Sequence, residues 1–496
     1  MRIALVGGGP AAVCMLESLI HARDEMNPDI VLDVTVFDPS PHPWCGPNYA
    51  PDMPEALTNM HTNDMSVRNW EPGHVVNWLK ANGYAHFVDT FAPREIIGQY
   101  LQDSAEKSAA RMNAFQHIRE RATKVKLVGH SGVVETPTGN YNFDYIVLCM
   151  GAATCFDPYR LKGEDHFFIT PYPLKNTLSR VGPDEHVGII GSGLTAIDLT
   201  LGLKASGHRG PITIMSRRGQ LPMVRRPPIQ YSVQYFTVRN IEDMVAEKGS
   251  ITLMDLIDLA CKELDHAGVS RQALMDEILS ERYGLDRLRH QMASVDDGEI
   301  WHQIYIKMLV AAIEDAWYFL SIDEKRFLEN DFRHIANNLC CPMPRHRATQ
   351  ILELADSGQL NVVRGLQSVS KETNGKFVAI AEGTSPIHLD KVFSAASGES
   401  RISPMAAPIL DGLVQSGQAR PHPLGGLDVE RTTSRLIDEQ NRPQPRLYAL
   451  GSIVGGALYL YNAILFLAPR SVHIANSIVK HHQENKQPVT EHVMAF

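Results

Sequence analysis

Two glycine-rich segments follow short apolar runs at widely separated points of the chain. The first is Gly7-Gly8-Gly9-Pro10-Ala11-Ala12, and the second is Gly191-Ser192-Gly193-Leu194-Thr195-Ala196. In such a loop the first glycine permits a tight turn, the second lets the backbone approach a pyrophosphate, and a small third residue lets helix and strand pack closely. The helix that follows directs its N-terminal amides toward the phosphates. The two loops therefore predict two dinucleotide sites.

The residues after each loop distinguish the two nucleotides. An apolar segment ending in Asp38 follows the first loop, and an acid there accepts hydrogen bonds from an adenosine ribose. A strand-end cap is the alternative interpretation of Asp38. After the second loop, an apolar strand leads into Ser216, Arg217 and Arg218, which suit a 2′-phosphate because they offer charge-assisted donors; a solvated basic turn is the alternative. The sequence thus predicts FAD at the first site and NADPH at the second.

Composition limits the class of protein. A chain of 496 residues is too long for one core, and 44% hydrophobic with 21% charged residues is ordinary for a soluble protein. A net charge of −9 gives no electrostatic case for binding nucleic acid or an anionic membrane. The seven cysteines are few, odd in number and scattered, as in a reduced cytosol. We expect a soluble cytoplasmic protein with neither nucleic acid nor membrane as partner.

The order of periodic segments predicts an α/β fold with two Rossmann-like dinucleotide-binding domains. Strands and helices alternate early, helical spacing dominates the middle, and strands return near the end. The NADPH domain is expected to be nested in the FAD domain and to carry a helical insertion. The predicted sections are 1–155 (FAD domain, first part), 156–235 (NADPH domain, first part), 236–345 (helical insertion), 346–385 (NADPH domain, second part), 386–485 (FAD domain, second part) and 486–496 (tail).

Two later segments are expected to complete the FAD site. An apolar strand leads to a small-residue turn at Gly151, and the strand and turn ending in Gly451 and Ser452 is followed by Gly455 and Gly456. These glycines are expected to lead into an apolar helix. In flavoproteins of this build, such a helix approaches the ribityl chain and the pyrimidine edge of the flavin, where its N-terminus stabilises negative charge.

Four further segments carry a family resemblance: residues 44–49, 91–94, 210–219 and 344–347. Together with the glycine loops, they resemble a bacterial FAD/NAD(P)-binding family related to the N-hydroxylating, Baeyer–Villiger and flavin-containing monooxygenases. The resemblance spans most of the chain and implies a flavoprotein with two dinucleotide domains. It also implies that Trp44 and Tyr49 lie at the FAD. The Baeyer–Villiger fingerprint is absent from the linker, so that reaction is disfavoured.

The chain offers no protein-borne redox pair, metal-ligand spacing or nucleophile elbow, so its chemistry is expected to be carried by the flavin. The leading interpretation, by analogy with the relatives, is NADPH-dependent hydroxylation of a small amine or amino acid by O2 through a C4a-hydroperoxyflavin. An alternative is a reductase or dehydrogenase that passes electrons to a quinone or a protein. A lesser alternative is a non-catalytic flavin or nucleotide sensor.

Substrate-binding residues are only outlined by the sequence. Asn59 and His61 are candidates to contact flavin or substrate, although a loop with capping side chains explains them equally well. The insertion is expected to supply the substrate pocket, and Arg345, His346 and Arg347 are candidates to bind a carboxylate. A solvated basic turn is the alternative for these three residues.

Overall fold

Both ends of the chain contribute to the first sheet of the computed structural model, which describes residues 1–151, 157–396, 408–460 and 462–485. The predicted boundary between 155 and 156 and the predicted tail therefore lie outside the described residues. The strands are β1 (Arg2–Val6), β2 (Asp33–Phe37), β3 (Ala114–Ile118), β4 (Lys124–Val128), β5 (Ser131–Glu135), β6 (Asn140–Phe143), β7 (Tyr145–Leu148), β8 (Phe167–Phe168), β9 (Val187–Ile190), β10 (Ile212–Met215), β11 (Leu360–Val363), β12 (Leu366–Lys371), β13 (Phe377–Ala381), β14 (Ile387–Leu389), β15 (Lys391–Ser394), β16 (Arg435–Ile437) and β17 (Pro443–Ala449).

The helices alternate with these strands in the two nucleotide units and run without strands between β10 and β11. They are α1 (Pro10–Met26), α2 (His74–Ala81), α3 (Arg94–Ala109), α4 (Leu174–Leu178), α5 (Leu194–Ala205), α6 (Val238–Lys248), α7 (Leu253–His266), α8 (Arg271–Ile278), α9 (Gly284–Ser294), α10 (Trp301–Phe319), α11 (Ile322–Phe327), α12 (Arg333–Cys340), α13 (Arg345–Asp356), α14 (Pro408–Gln415) and α15 (Ile464–Glu484). None of them, within the described ranges, combines the length and apolar character needed to cross a bilayer.

The first sheet has the order β16-β17-β7-β1-β2-β3, with β16 as an antiparallel edge and the other strands parallel. Strand β7 is buried along its whole length, as expected for a parallel sheet covered on both faces. Helices α1 and α15 pack together on one face. Strand β17 comes from the far end of the chain. The first domain is therefore built from two segments, one before and one after the second domain in the sequence.

The second sheet is parallel and has the order β11-β10-β9-β15-β8. All its strands come from the stretch between β7 and β16, so the predicted nesting of one dinucleotide domain inside the other is observed. The boundary predicted between 385 and 386 cuts through this sheet and needs correction. Strand β15 was assigned to the FAD domain, yet it pairs with β9, so the second domain extends at least to the end of β15.

The insertion, residues 236–345, is helical as predicted and has its own core. Capping boxes start α7 at Thr252 with Asp255 and α11 at Ser321 with Glu324, where each side chain satisfies amides that the helix leaves unpaired. The long helix α10 buries one face in the core of the insertion. The aromatic residue Trp301 belongs to this core, with 3% of its surface exposed.

The segment after β17 differs from the sequence-based prediction. Gly455 and Gly456 do not lead directly into an apolar helix: a short 3₁₀ turn, Ser452–Val454, precedes them, and α15 begins only at Ile464. Gly456 is closely packed, because a Cβ on it would lie 2.3 Å from the Gly425 oxygen. These glycines therefore serve a tight turn rather than the start of the helix.

Glu263 on α7 is a buried carboxylate that organises the entry to the insertion. It is fully buried and accepts hydrogen bonds from the backbone amides of Tyr235 at 2.6 Å, Phe236 at 2.9 Å and Gln234 at 3.1 Å. The Tyr231 hydroxyl donates to it as well. Burial alone would raise the pKa of Glu263, but these hydrogen bonds outweigh it and lower the pKa below its usual value.

Replacing this carboxylate is expected to weaken the insertion. Glu263→Gln should lower the free energy of unfolding by about 2 kcal/mol, because a single neutral amide oxygen then replaces the charged carboxylate as acceptor for three backbone amides and the Tyr231 hydroxyl. A carboxyl with a depressed pKa stabilises the fold above its unfolded pKa of about 4.3 and loses that contribution as pH falls through the folded pKa. The free energy of unfolding, measured with urea, should therefore decrease more steeply on acidification for wild type than for Glu263→Gln. Glu281→Gln, an exposed site in the insertion, is the control; equal curves for both variants would contradict the assignment.

Candidate functional site

The first glycine loop leaves the N-terminus of α1 without a cap. Gly7 has φ +104°, and a Cβ on it would lie 2.7 Å from the carbonyl oxygen of Cys149, so only glycine fits. Gly9 is the residue before the helix and provides no side-chain cap, and the first turn has no acidic residue. Amides that the helix leaves unpaired are therefore available to an anion, as pyrophosphate binding requires.

The second loop repeats this arrangement in the second sheet. Gly191 has φ +105°, and a Cβ on it would lie 2.6 Å from the carbonyl carbon and oxygen of Ala395 at the end of β15. Gly193 precedes α5, whose N-terminus likewise has no side-chain cap and no acid in its first turn. A Cβ on Gly193 would meet nothing within 4 Å. The loop therefore leaves open space directly before an uncapped helix.

Several predicted FAD residues gather around the first loop. The Asp38 carboxylate accepts hydrogen bonds from the Gly8 amide at 2.5 Å and the Ser40 amide at 2.6 Å, so it braces the loop at the end of β2. The Trp44 amide donates to the Gly8 oxygen at 2.7 Å. From the other end of the chain, a Cβ on Gly451 would lie 3.9 Å from the Cβ of Ala11. The structure thus brings Asp38, Trp44 and Gly451 to the same loop.

The other predicted FAD residues lie around this group with different surroundings. Tyr49 is partly buried, and its carbonyl oxygen would lie 2.1 Å from a Cβ on Gly98 of α3. Gly151 is exposed at the end of the segment after β7. Ser452 and Gly455 belong to the 3₁₀ turn and its end, while the carbonyl of Gly456 accepts a hydrogen bond from the Trp317 indole at 3.1 Å.

The predicted NADPH residues also come together. The Ser192 hydroxyl donates to the Gln220 oxygen at 2.7 Å and lies 3.0 Å from the Ser216 hydroxyl. Ser216 in turn accepts a hydrogen bond from the Gly219 amide at 2.9 Å. Arg217 is exposed after β10. The second loop and the loop after β10 therefore form one polar surface.

A helix of the insertion covers this surface, which the sequence did not indicate. Arg218 donates a hydrogen bond to the Nε2 atom of His334 on α12, and one turn later Asn338 donates to the Gln220 side chain at 3.0 Å. Burial and then the nearby Arg218 and Arg287 lower the pKa of His334, so the imidazole is a neutral acceptor. No local pattern marks His334, because its contact depends on where α12 packs.

Asn59 and His61 lie at a junction of both domains and the insertion. The Asn59 side-chain nitrogen is 3.9 Å from Cys341 Sγ, and its backbone oxygen accepts a hydrogen bond from Arg225 at 3.1 Å. His61 meets Phe91 edge-on with 5.4 Å between ring centroids. Burial lowers the pKa of His61, although Asp89, 3.7 Å away, opposes the shift. Asn59 thus has contacts beyond its own loop, and Arg225 is a further residue that sequence reasoning missed.

The adjacent thiols of Cys340 and Cys341 at this junction are unreactive. Burial raises the pKa of Cys340 to about 12 and also raises that of Cys341, so both remain protonated at neutral pH. Cys340 Sγ lies 3.8 Å from the Tyr305 hydroxyl. Within the described ranges, no group of three or more His, Cys, Asp or Glu side chains is placed to hold a metal ion.

The basic segment 345–347 does not form a common carboxylate site. Arg345 is exposed and pairs with Asp296 at 2.7 Å, and His346 is exposed beside it. Arg347 points into the protein, where it pairs with Asp198 on α5 at 2.6 Å and also donates to the Glu55 oxygen. The candidate role of this segment in substrate binding is corrected accordingly: one arginine ties domains together and the other lies on the surface.

Asp198 is the centre of a buried interdomain group. Its carboxylate accepts hydrogen bonds from Arg347, from Arg94 at 3.0 Å and from the Tyr172 hydroxyl at 2.6 Å. Arg94 begins α3 in the first domain and also donates to the Leu57 oxygen at 2.8 Å. Both arginines come from segments that carry the family resemblance, 91–94 and 344–347, which was the one available sequence signal for their importance.

Comparison with known proteins places these features in a family context. Residues 4–153 match a family model described as FAD-NAD(P)-binding. The nitrosuccinic acid synthase of Aspergillus oryzae is 28% identical over 115 residues, covering 22% of this chain and 18% of that protein. A monooxygenase of Aspergillus candidus is 22% identical over 241 residues, covering 45% of this chain and 38% of that protein. The matches thus span less than two-fifths of the length of these curated relatives.

Solved structures match nearly the whole chain. An ornithine N-hydroxylase of Kutzneria sp. 744, solved with reduced FAD, NADP+ and L-ornithine, has a TM-score of 0.61 at 14% identity, covering 97% of this chain and 99% of that one. The reduced ornithine hydroxylase of Pseudomonas aeruginosa has a TM-score of 0.62 at 15% identity with the same coverage. These matches confirm the predicted α/β fold with two dinucleotide domains, and it is in fold that the chain resembles N-hydroxylating flavin monooxygenases. The family model confirms the predicted FAD/NAD(P)-binding character.

Removing the charge of Asp198 is expected to loosen the two domains. Asp198→Asn leaves the largely buried Arg94 and Arg347 without a counter-charge and should lower the free energy of unfolding by about 3–5 kcal/mol. Asp184→Asn, which breaks an exposed pair with Arg209, should cost about 1 kcal/mol or less. Urea unfolding followed by circular dichroism measures both. Equal midpoints for the two variants would contradict the structural role assigned to Asp198.

Proposed function

We propose that this protein is an FAD- and NADPH-dependent monooxygenase that hydroxylates the nitrogen of a small amine or amino acid. One observation carries the proposal: two glycine loops, each before an uncapped helix, lie at the ends of the parallel strands of two sheets. This arrangement occurs in a fold that aligns over 97% of the chain with two ornithine hydroxylases.

The first loop has the chemistry that FAD requires. Pyrophosphate oxygens would accept a hydrogen bond from the Ala11 amide in the first turn of α1, because Pro10 has no N–H and the Ala12 and Val13 amides already donate to the Gly9 oxygen. Asp38 is already bonded to Gly8 and Ser40, yet each carboxylate oxygen keeps capacity for a ribose hydroxyl. The flavin, when bound, would supply the redox chemistry by accepting hydride from NADPH and passing electrons to O2.

The second loop has the chemistry that NADPH requires. Amides at the start of α5 would bind its pyrophosphate, while Ser216, Arg217 and Arg218 would hold the 2′-phosphate. Arg218 contacts the neutral His334, so a phosphate there would give this guanidinium an anionic partner in place of an imidazole. The insertion therefore lies against the NADPH site as well as against the junction at Asn59.

The junction is the proposed place of reaction. Asn59 from the first domain, Arg225 from the second and Cys341 from the end of the insertion meet there. Phe91 is 8% exposed and closes one side with an apolar ring. Walls of this kind would exclude water from the reacting groups during oxygen transfer to a substrate nitrogen. The protonated thiols supply no competing redox pair.

Rapid mixing tests the reaction. Anaerobic NADPH should bleach the flavin of the purified holoenzyme, and oxygenated buffer should then produce the absorbance band of an oxygenated flavin before the oxidised spectrum returns. Small amines and amino acids should convert that oxygen into hydroxylated product. Slow reoxidation without the intermediate band would instead indicate a reductase, and a flavin that NADPH never bleaches would indicate a sensor.

The nucleotide preference tests the second site separately. Arg218→Gln should weaken NADPH binding roughly tenfold to a hundredfold, the value of a charge-assisted hydrogen bond to phosphate, and leave NADH binding unchanged. Arg239→Gln, an exposed residue of α6 paired with Asp243, serves as the matched control. Flavin reduction rates against nucleotide concentration give the affinities. Equal losses for both nucleotides would contradict the assignment of the 2′-phosphate site.

A further inference from the structure

Arg225 is a partly buried arginine at the junction of the two domains and the insertion. Its NH2 group donates to the Asn59 oxygen at 3.1 Å, and its guanidinium lies over the Phe91 ring at 5.1 Å from the centroid. Its own backbone amide donates to the Met343 oxygen at 2.8 Å, just after the insertion's last helix. All three structural units therefore fix the position of this one side chain.

Among the described residues, Arg225 forms no ion pair. Its Nε is shielded from solvent and has no hydrogen-bond partner. Asp64 is the nearby acid that favours its charge, but burial dominates and lowers the pKa of Arg225. Asp64 is itself exposed. The partly buried guanidinium therefore lies without an adjacent carboxylate.

The neighbouring residue shows what an ordinary buried arginine does in this fold. Arg226 is 9% exposed and pairs with Asp297 at 2.5 Å, with a second bond to the Glu299 oxygen at 3.2 Å. Arg347 and Arg94 share Asp198 in the same way. A partly buried charge without an acidic partner is costly to the fold. Arg435 and Arg446 also lack an acid, but their side chains bond to the Tyr448 hydroxyl and the Asp144 oxygen, whereas the Nε of Arg225 has no partner.

The orientation of Arg225 favours a planar anion. The contact with the Phe91 ring and the hydrogen bond to the Asn59 oxygen restrict the orientation of the guanidinium. A pre-oriented guanidinium matches the two oxygens of a carboxylate with parallel hydrogen bonds. The proposed donors for the nucleotide phosphates are at the starts of α1 and α5 and at residues 216–218, which leaves Arg225 available to a different anion.

We propose that Arg225 is the anion-binding residue of the substrate site and that it takes the carboxylate of a small amino-acid substrate. The carboxylate role was expected at Arg345, His346 and Arg347, and the structure moves it to a different residue. The proposal rests on the proposed function for the identity of the reacting group, a nitrogen, whereas binding of the carboxylate is measurable without turnover.

Binding of matched ligands tests the proposal. Isothermal titration of the oxidised holoenzyme would use L-ornithine and L-lysine, their decarboxylated counterparts putrescine and cadaverine, and succinate as a carboxylate without an amine. At least one carboxylate should bind wild type, and Arg225→Gln should weaken it roughly tenfold to a hundredfold. The diamines should show no such difference. Carboxylates that bind both proteins equally, or bind wild type not at all, would overturn the proposal.

Two further measurements exclude other roles for Arg225. In thermal unfolding without ligand, Arg225→Gln should be at least as stable as wild type, because it removes a partly buried charge without an acidic partner, whereas Arg226→Gln should be less stable because it breaks the pair with Asp297. Equal destabilisation of both variants would make Arg225 structural and overturn the proposal. A loss of NADPH affinity in Arg225→Gln with carboxylate binding intact would assign it to the nucleotide instead. Failure of NADPH to reduce wild-type flavin would reject the proposed function alone.

Discussion

The carboxylate of Asp198 determines how the two halves of this protein face each other. It lies on the second domain, is 4% exposed as a side chain, and holds Arg94 of the first domain and Arg347 of α13. Arg94 also bonds to Leu57, and Arg347 to Glu55, both on the first domain. A buried charge pair requires good geometry because desolvation offsets much of its attraction. The group therefore tolerates little change in the angle between the domains, and the junction at Asn59 depends on that angle.

The helix N-termini show where the fold leaves polar groups open. In the insertion, Thr252 and Ser321 close their helices with reciprocal capping boxes. At α1 and α5, glycine stands where such a residue would be, and no acid follows in the first turn. The same physical need, partners for the first amides of a helix, is met by a side chain in one case and is left to a ligand in the other.

The features that could be predicted from the sequence are those that depend on residues close together in the chain. The two glycine loops, the apolar strand before each of them and the helical character of the insertion follow from spacing over a few residues, and these were predicted correctly. The failures concern tertiary contacts. Strand β15 was assigned to the wrong sheet because its pairing partner, β9, lies about two hundred residues earlier. The turn at Gly455 and Gly456 was read as a helix start because the crowding by Gly425 is not visible in the sequence.

Charged residues show most clearly that tertiary contacts cannot be predicted from local sequence. Arg225 and Arg226 are adjacent and chemically identical, yet one meets Asp297 and the other meets an aromatic ring and a backbone oxygen. Arg345 and Arg347 differ just as much, since one lies on the surface and the other is buried against Asp198. The charge of an arginine side chain is known from the sequence, but the group that it contacts depends on the fold. The buried arginines Arg226, Arg287, Arg347 and Arg470 are each paired with an acid, whereas the partly buried Arg225, at the junction of all three units, is not, and this contrast is the basis for the proposal that a ligand supplies its counter-charge.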